Sequence, residues 1–296
     1  MSRFLLVCLA VLVVSCQSTP SRTWQLPPGV NVVSVNGYDM AYVEQGQDIP
    51  VVLIHGALID YRVFRNQMEP FGEKYRAIAV SLRHYYPEPW NGEGGGFSER
   101  HHAADVAAFI KSLNGGPVHV IGHSRGGIIA ALVAKHYPDT VRTLVLVEPG
   151  LYRLLGPDDP GAAAGQARME KTVQLFGQAG IDDGLQFFVD AANGTGTWKA
   201  RSESEHQITR DNAWTLKGEQ GSKPEPFDCA DAGQIKVPVL LVGGDRSPAL
   251  FGRVMDVLAS CLKQSQRVTI PNASHMMVRT NPSAFNDAVL GFLAQH

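Results

Sequence analysis

One stretch constrains this chain more than any other. Residues 117–138 read PVHVIG followed by HSRGGIIAALVAKHYP. PVHVIG reads as a strand. The run after it has helical spacing and stops at Pro138, which cannot continue a helix. Between them lies Gly122-His123-Ser124-Arg125-Gly126, a G-x-S-x-G pattern. Two glycines remove side chains where a strand and a helix crowd together. The turn between them then pushes the Ser124 hydroxyl out at the end of the strand. The helix that starts there points its unpaired N–H groups to the same place.

The same alternation runs along most of the chain. NVVSVNG and YDMAYVEQG read as two short strands joined by the turn Asn36-Gly37. PVVLIHG is a buried strand ending in Gly56, residues 61–71 are helical, and YRAIAVSLR is a further strand. SERHHAADVAAFIKSL has helical spacing with Ser98 as its cap, and VRTLVLV is again a strand. From Leu151 to Phe227 the rhythm breaks into helical bursts around Val173, Leu175, Phe176, Leu185, Phe187 and Phe188. It resumes with VPVLLVGG, a helix over 250–262, RVTIP, and a last helix from Pro282 to Leu293. Strands alternating with helices predict an α/β protein with a mostly parallel sheet. At 296 residues and 44% hydrophobic, the chain suits one large domain carrying an insertion.

With these residues in view, the chain resembles the α/β-hydrolase-fold proteins over nearly all of residues 31–296. His55-Gly56-Ala57 looks like that family's oxyanion turn after the third strand. PNASHMM, residues 271–277, looks like its final loop, which carries the catalytic histidine. The irregular segment 151–227 falls after the sixth strand, where the family carries a cap or lid. The expected organisation is a core over 30–150 and 228–296, with a helical cap over 151–227. The nucleophile position holds Ser, not the Asp of the related dehalogenases and epoxide hydrolases.

The resemblance implies a serine hydrolase. Ser124 needs a base, because a free hydroxyl is a poor nucleophile at neutral pH. His275 is expected to take its proton and return it to the leaving group. The backbone N–H groups of Ala57 and Arg125 are expected to face the oxyanion. Two carboxylates compete for the third place. TLVLVEPG, residues 143–150, ends a buried strand in Glu148, a placement used by a group of dehalogenases. VPVLLVGGDRSPALF offers Asp245 near the more usual place, but with its glycines aligned that place falls on Ser247. Glu148 is therefore favoured, with Asp245 as the alternative. The expected reaction is cleavage of a small-to-medium carboxylic ester, or a thioester or lactone, through an acyl-enzyme. Carbon–carbon bond hydrolysis, cofactor-free perhydrolysis and non-catalytic ligand binding are the alternatives. No cofactor is implied.

Other features are less specific. Arg83, His84, Tyr85, Tyr86 and Trp90 in the loop 82–97 either line a substrate entrance or pack beneath that loop. His101 and His102 are neighbours that do not share a helix face, so they make a poor metal pair. The formal net charge is -2 with no basic stripe, which argues against nucleic acid. MSRFLLVCLAVLVVSC has the form of a signal peptide over residues 1–15. Val13-Val14-Ser15-Cys16 resembles a bacterial lipobox, which implies a lipid on Cys16 and a tether over 16–29. Gln17, where a retained inner-membrane lipoprotein carries Asp, points to the outer membrane facing the periplasm. An oxidising compartment leaves Cys229 and Cys261 either paired or as two separate thiols.

Overall fold

The computed structural model describes residues 24–296. The signal peptide over 1–15, the lipidation site Cys16 and most of the tether lie outside the described residues. Eight strands form one sheet: β1 (Asn31–Val35), β2 (Tyr38–Gln45), β3 (Pro50–Ile54), β4 (Arg76–Val80), β5 (Val118–His123), β6 (Val141–Val147), β7 (Val239–Gly244) and β8 (Ser265–Ile270). Their order is β1-β2-β4-β3-β5-β6-β7-β8. β2 runs antiparallel to β1 and β4, and the other pairs are parallel. Asn36 and Gly37 both have positive φ, which closes the first hairpin with the twist its strands need.

The helices follow the expected rhythm: α1 (Arg65–Gly72), α2 (Glu99–Ser112) and α3 (Arg125–His136). Ser98 caps α2 by accepting from the His101 N–H. Between β6 and β7 come α4 (Pro160–Gln178), α5 (Ile181–Asn193), α6 (Glu203–Asp211) and α7 (Thr215–Gly221). The short α8 (Cys229–Ala232) follows before β7, and the chain closes with α9 (Ala249–Cys261), α10 (Met277–Thr280) and α11 (Pro282–Leu293).

Alternation along the central strands divides the core. Val52, Ile54, Val120, Leu144, Leu146 and Leu241 pack on one face of the sheet, with α2, α3 and α9. Val51, Leu53, Ile121, Val145, Val147 and Val242 pack on the other, with α1 and α11. β3 and β5 are buried along their whole length, as helices on both faces require. A third, smaller cluster of Phe176, Leu185, Val189, Trp198, Ala213 and Leu216 sits among the helices of 151–227 and reaches Leu58. A disulfide joins Cys229 at the start of α8 to Cys261 at the end of α9.

Parallel strands aim their C-terminal ends one way. That edge presents the turn after β3, Ser124 after β5, Glu148 after β6 and the loop after β8. His123 pairs with Val147 and Val147 pairs with Val242, so Ser124 and Glu148 each stand one step past the ladder.

Candidate active site

Ser124 sits at φ 54° and ψ −116°, backbone that a non-glycine residue adopts only under constraint. The constraint is visible. Its N–H donates to the Val147 carbonyl at 2.9 Å, and its own carbonyl accepts from the Gly127 and Gly150 N–H groups. The flanking glycines have no room for a side chain. A Cβ on Gly122 would lie 2.3 Å from the Gly126 carbonyl oxygen, and one on Gly126 would lie 2.2 Å from that of Ile54. The strand-to-helix turn thus packs backbone on backbone and leaves the serine side chain facing a cavity.

His275 lies in the loop after β8 and is buried. Its Nδ1 is 2.7 Å from Glu148 Oε2. Glu148 Oε1 accepts from the Gly244 N–H at 2.8 Å, so both carboxylate oxygens are engaged. That pairing answers the cost of placing a carboxylate at the end of a buried strand. Glu148 also has positive φ, 41°, and its N–H donates to the Val242 carbonyl. Asp245 does something else. It is exposed, and its oxygens accept from the Asn272 and Ala273 N–H groups at 2.9 and 3.1 Å. The Asn272 N–H foremost holds the Asp245 carboxyl below its usual range. Asp245 therefore braces the loop that carries His275 but does not touch the imidazole.

Two further histidines shape the surroundings. His123 donates from Nε2 to the His275 carbonyl at 2.8 Å, and burial pushes its pKa down to about 3. His55 donates from Nδ1 to the Gly56 carbonyl and accepts at Nε2 from the Leu82 N–H. Burial lowers it to about 4. Both are neutral at physiological pH and hold backbone in place. Phe251 stacks on the His275 ring, with centroids 4.0 Å apart and planes 10° apart.

Ser124, His275 and Ala57 line one partly open cavity. Its other walls include Tyr152, Arg168, Phe188, Arg201 and Phe251. The sequence reading missed these five. Arg168, Phe188 and Arg201 sit in the irregular segment 151–227, where no spacing marks one polar residue over another. Arg125 opens α3, and its side chain is buried behind the turn. Its Nε is 3.2 Å from Glu219 Oε2 on α7, and its guanidinium stands 5.1 Å from the Phe97 ring centroid.

Residues of the 82–97 loop do not line this cavity. Tyr85 is fully buried with its ring 4.6 Å from His55, and Arg83 pairs with Asp105. His84 stacks on Trp90, and Tyr86 lies under the Arg62 guanidinium. The loop is a packed surface element and its aromatics are its core. No cluster of metal-ligating side chains occurs among the described residues.

Comparison with known proteins gives the family. A family model described as alpha/beta hydrolase fold matches residues 49–282. The chain belongs to that family and is a hydrolytic enzyme of its class. Among curated relatives, an (E)-2-((N-methylformamido)methylene)succinate hydrolase of Acinetobacter baylyi is 23% identical, over 85% of this chain and 93% of its own. A putative non-heme bromoperoxidase of Mycobacterium tuberculosis is 26% identical, over 86% of this chain and 98% of its own. Among solved structures, a thermophilic esterase from Thermogutta terrifontis superposes with a TM-score of 0.72 at 22% identity, covering 90% of this chain and 97% of that one.

Proposed function

We propose that the chain is a serine hydrolase that cleaves a carboxylic ester through an acyl-enzyme on Ser124. The observation that carries this is the contact of His275 Nδ1 with a buried, fully engaged Glu148, in the cavity that Ser124 enters. That contact keeps the proton on Nδ1 and leaves Nε2 free to accept one from Ser124. Glu148 then steadies the imidazolium that forms, as the third member of such triads does. His275 returns the proton to the leaving alcohol, and a water repeats the cycle on the acyl-enzyme. The Ala57 and Arg125 N–H groups are the oxyanion donors in this reading. Losing one such donor costs on the order of 100- to 1,000-fold in rate. The helices of 151–227 act as the cap over the acyl site.

A fluorophosphonate probe tests the reading. The folded protein is expected to label on Ser124, and Ser124→Ala is expected to abolish both labelling and ester turnover. Failure of folded wild-type protein to label, beside a reacting control enzyme, counts against it. Perhydrolysis is the second reading, favoured by the bromoperoxidase relative, and the same triad serves it. A panel of esters with and without peroxide separates the two.

The N-terminus supports a second proposal. Residues 1–15 are read as an export signal and Cys16 as the site of a lipid that holds the enzyme at the outer membrane, facing the periplasm. No helix among the described residues is long and apolar enough to cross a membrane. Labelling cells with a radioactive fatty acid should mark the wild-type chain, and Cys16→Ala should lose the label. Equal labelling of both overturns the anchor.

A further inference from the structure

The arginines among the described residues fall into groups. Arg62, Arg76, Arg83, Arg100, Arg125, Arg210, Arg253, Arg267 and Arg279 each pair with a carboxylate. Arg65, Arg142, Arg153 and Arg246 pair with no side-chain carboxylate among the described residues, and they are exposed to water. Arg168 and Arg201 differ from both. They are half-buried, they line the cavity that holds Ser124 and His275, and no carboxylate among the described residues pairs with either. A sheltered guanidinium without a counter-ion is unfavourable, and folding alone gives no reason to keep two at one cavity wall.

Their local contacts leave donors free. Arg201 spends one N–H on the Thr209 hydroxyl at 3.2 Å, out of five. Arg168 lies over the Phe188 ring, 5.0 Å to the centroid, and beside the Tyr152 hydroxyl, and its Nε is buried with no partner. Asp190, the acid nearest in effect to Arg201, is already engaged. Its oxygens accept from the Gly196 and Trp198 N–H groups. Burial pushes the Arg201 guanidinium down to about 10 despite Asp190. The positive lining also continues outward. Arg201, Asn193 and Met276 belong both to this cavity and to an adjoining groove, which Arg65 and Arg279 line as well, with Glu205 paired to Arg279.

We propose that the substrate is an ester that also carries a free carboxylate, held by Arg201 and Arg168 while Ser124 attacks the ester carbonyl. This deepens the serine-hydrolase reading and rests on it for the chemistry, though the anion site itself can be tested separately. A planar guanidinium fork matches a carboxylate in shape and charge. Within the cavity itself the two cations, with Asp190 beside Arg201, leave a small surplus, which suits a monoanion better than a phosphate dianion.

The binding experiment uses full-length Ser124→Ala protein and titration calorimetry, so that no turnover intervenes. Monomethyl glutarate is expected to bind about 10- to 100-fold tighter than dimethyl glutarate, the range for a hydrogen-bonded charge pair. Adding Arg201→Gln or Arg168→Gln should shrink that ratio, and both together should remove it. Arg201→Lys, which keeps the charge and loses the fork, should retain part of it, and this variant decides the matter if a Gln variant fails to fold. Equal affinity for the two esters, or a ratio that survives the double Gln variant, overturns the proposal. Butyl phosphate binding tighter than pentanoate overturns the choice of carboxylate. With active enzyme, the ratio of kcat/KM for mono-4-nitrophenyl glutarate over 4-nitrophenyl pentanoate should fall in the same variants. Labelled Ser124 with no preference for the acid sinks the anion site and leaves the hydrolase standing. Preference for the acid without labelling does the reverse.

Discussion

Glu148 carries two burdens at once: a buried charge and a left-handed backbone, φ 41°. Strain of this kind costs about 1–3 kcal/mol and persists only where neighbours over-determine it. Here the Gly244 N–H and the His275 ring fix the carboxylate, while the bond from its own N–H to Val242 fixes the backbone. Charge is what the site asks of this residue. Glu148→Gln is expected to fold and to lose about 10³- to 10⁴-fold in kcat, through a wrongly held imidazole. Asp245→Asn should leave most of the turnover and loosen the 271–275 loop instead, seen as faster amide exchange there. The reverse outcome, with Asp245 decisive and Glu148 dispensable, would exchange their roles. The sequence already contained both candidates. It favours Glu148 but leaves Asp245 open, because aligning on Gly243 or on Gly244 shifts the loop by one residue; in three dimensions it is Glu148 that meets the imidazole.

At the scale of elements, legibility followed burial. β3 and β7 are continuous apolar runs, β5 and β6 are mostly apolar, and their order with the helices between them predicts a parallel sheet. The turn at Ser124 was legible for the same reason: glycine is required wherever backbone meets backbone. The helices of 151–227 were legible as helices but not as a wall. Their apolar spacing shows that they pack, while the partner of each face is set in three dimensions, as where Gly184 makes room for Phe176. The 82–97 loop misled for a related cause, since aromatics read the same in sequence whether they line a hole or fill one. The Cys229–Cys261 bond is an element-scale staple, joining α8 to α9 just after the chain returns from 151–227. It spans 32 residues, for which a chain-entropy model gives roughly 3–4 kcal/mol. Reductant should lower Tm markedly in the wild type and leave Cys229→Ser unmoved, and no Tm difference would mean the bond constrains little.

For the whole molecule, the buried histidines set a pH limit. His55 and His119 are lowered to about 4 and His123 to about 3, in each case mainly by burial, and His102 is lowered well below its usual value. The unfolded chain binds protons at these sites below about pH 6.5, and the folded chain does not until near pH 4. The contribution of these histidines is therefore fully present above pH 6.5 and falls as pH drops through that window, by up to about 1.4 kcal/mol per pH unit for each. Thermal melts from pH 7.5 to 4.5 should show Tm descending below 6.5, and a flat profile would mean the histidines are solvated. The ion pairs have a mechanical consequence at this scale. Asp159, at the cap of α4, is tied to Arg253 on α9, Asp211 of α6 to Arg62, and Glu219 of α7 to Arg125 behind the nucleophile. Only α5 among these four helices lacks such a tie to the sheet domain within the described residues, and its one ion pair runs to Arg210 on α6. The segment is thus a window frame nailed at three points, with α5 as the pane. Since α5 supplies Phe188, Val189 and Asn193 to the cavity wall, that part of the wall is held by packing, through Leu185 and Val189 against Phe176, Leu216 and Leu58.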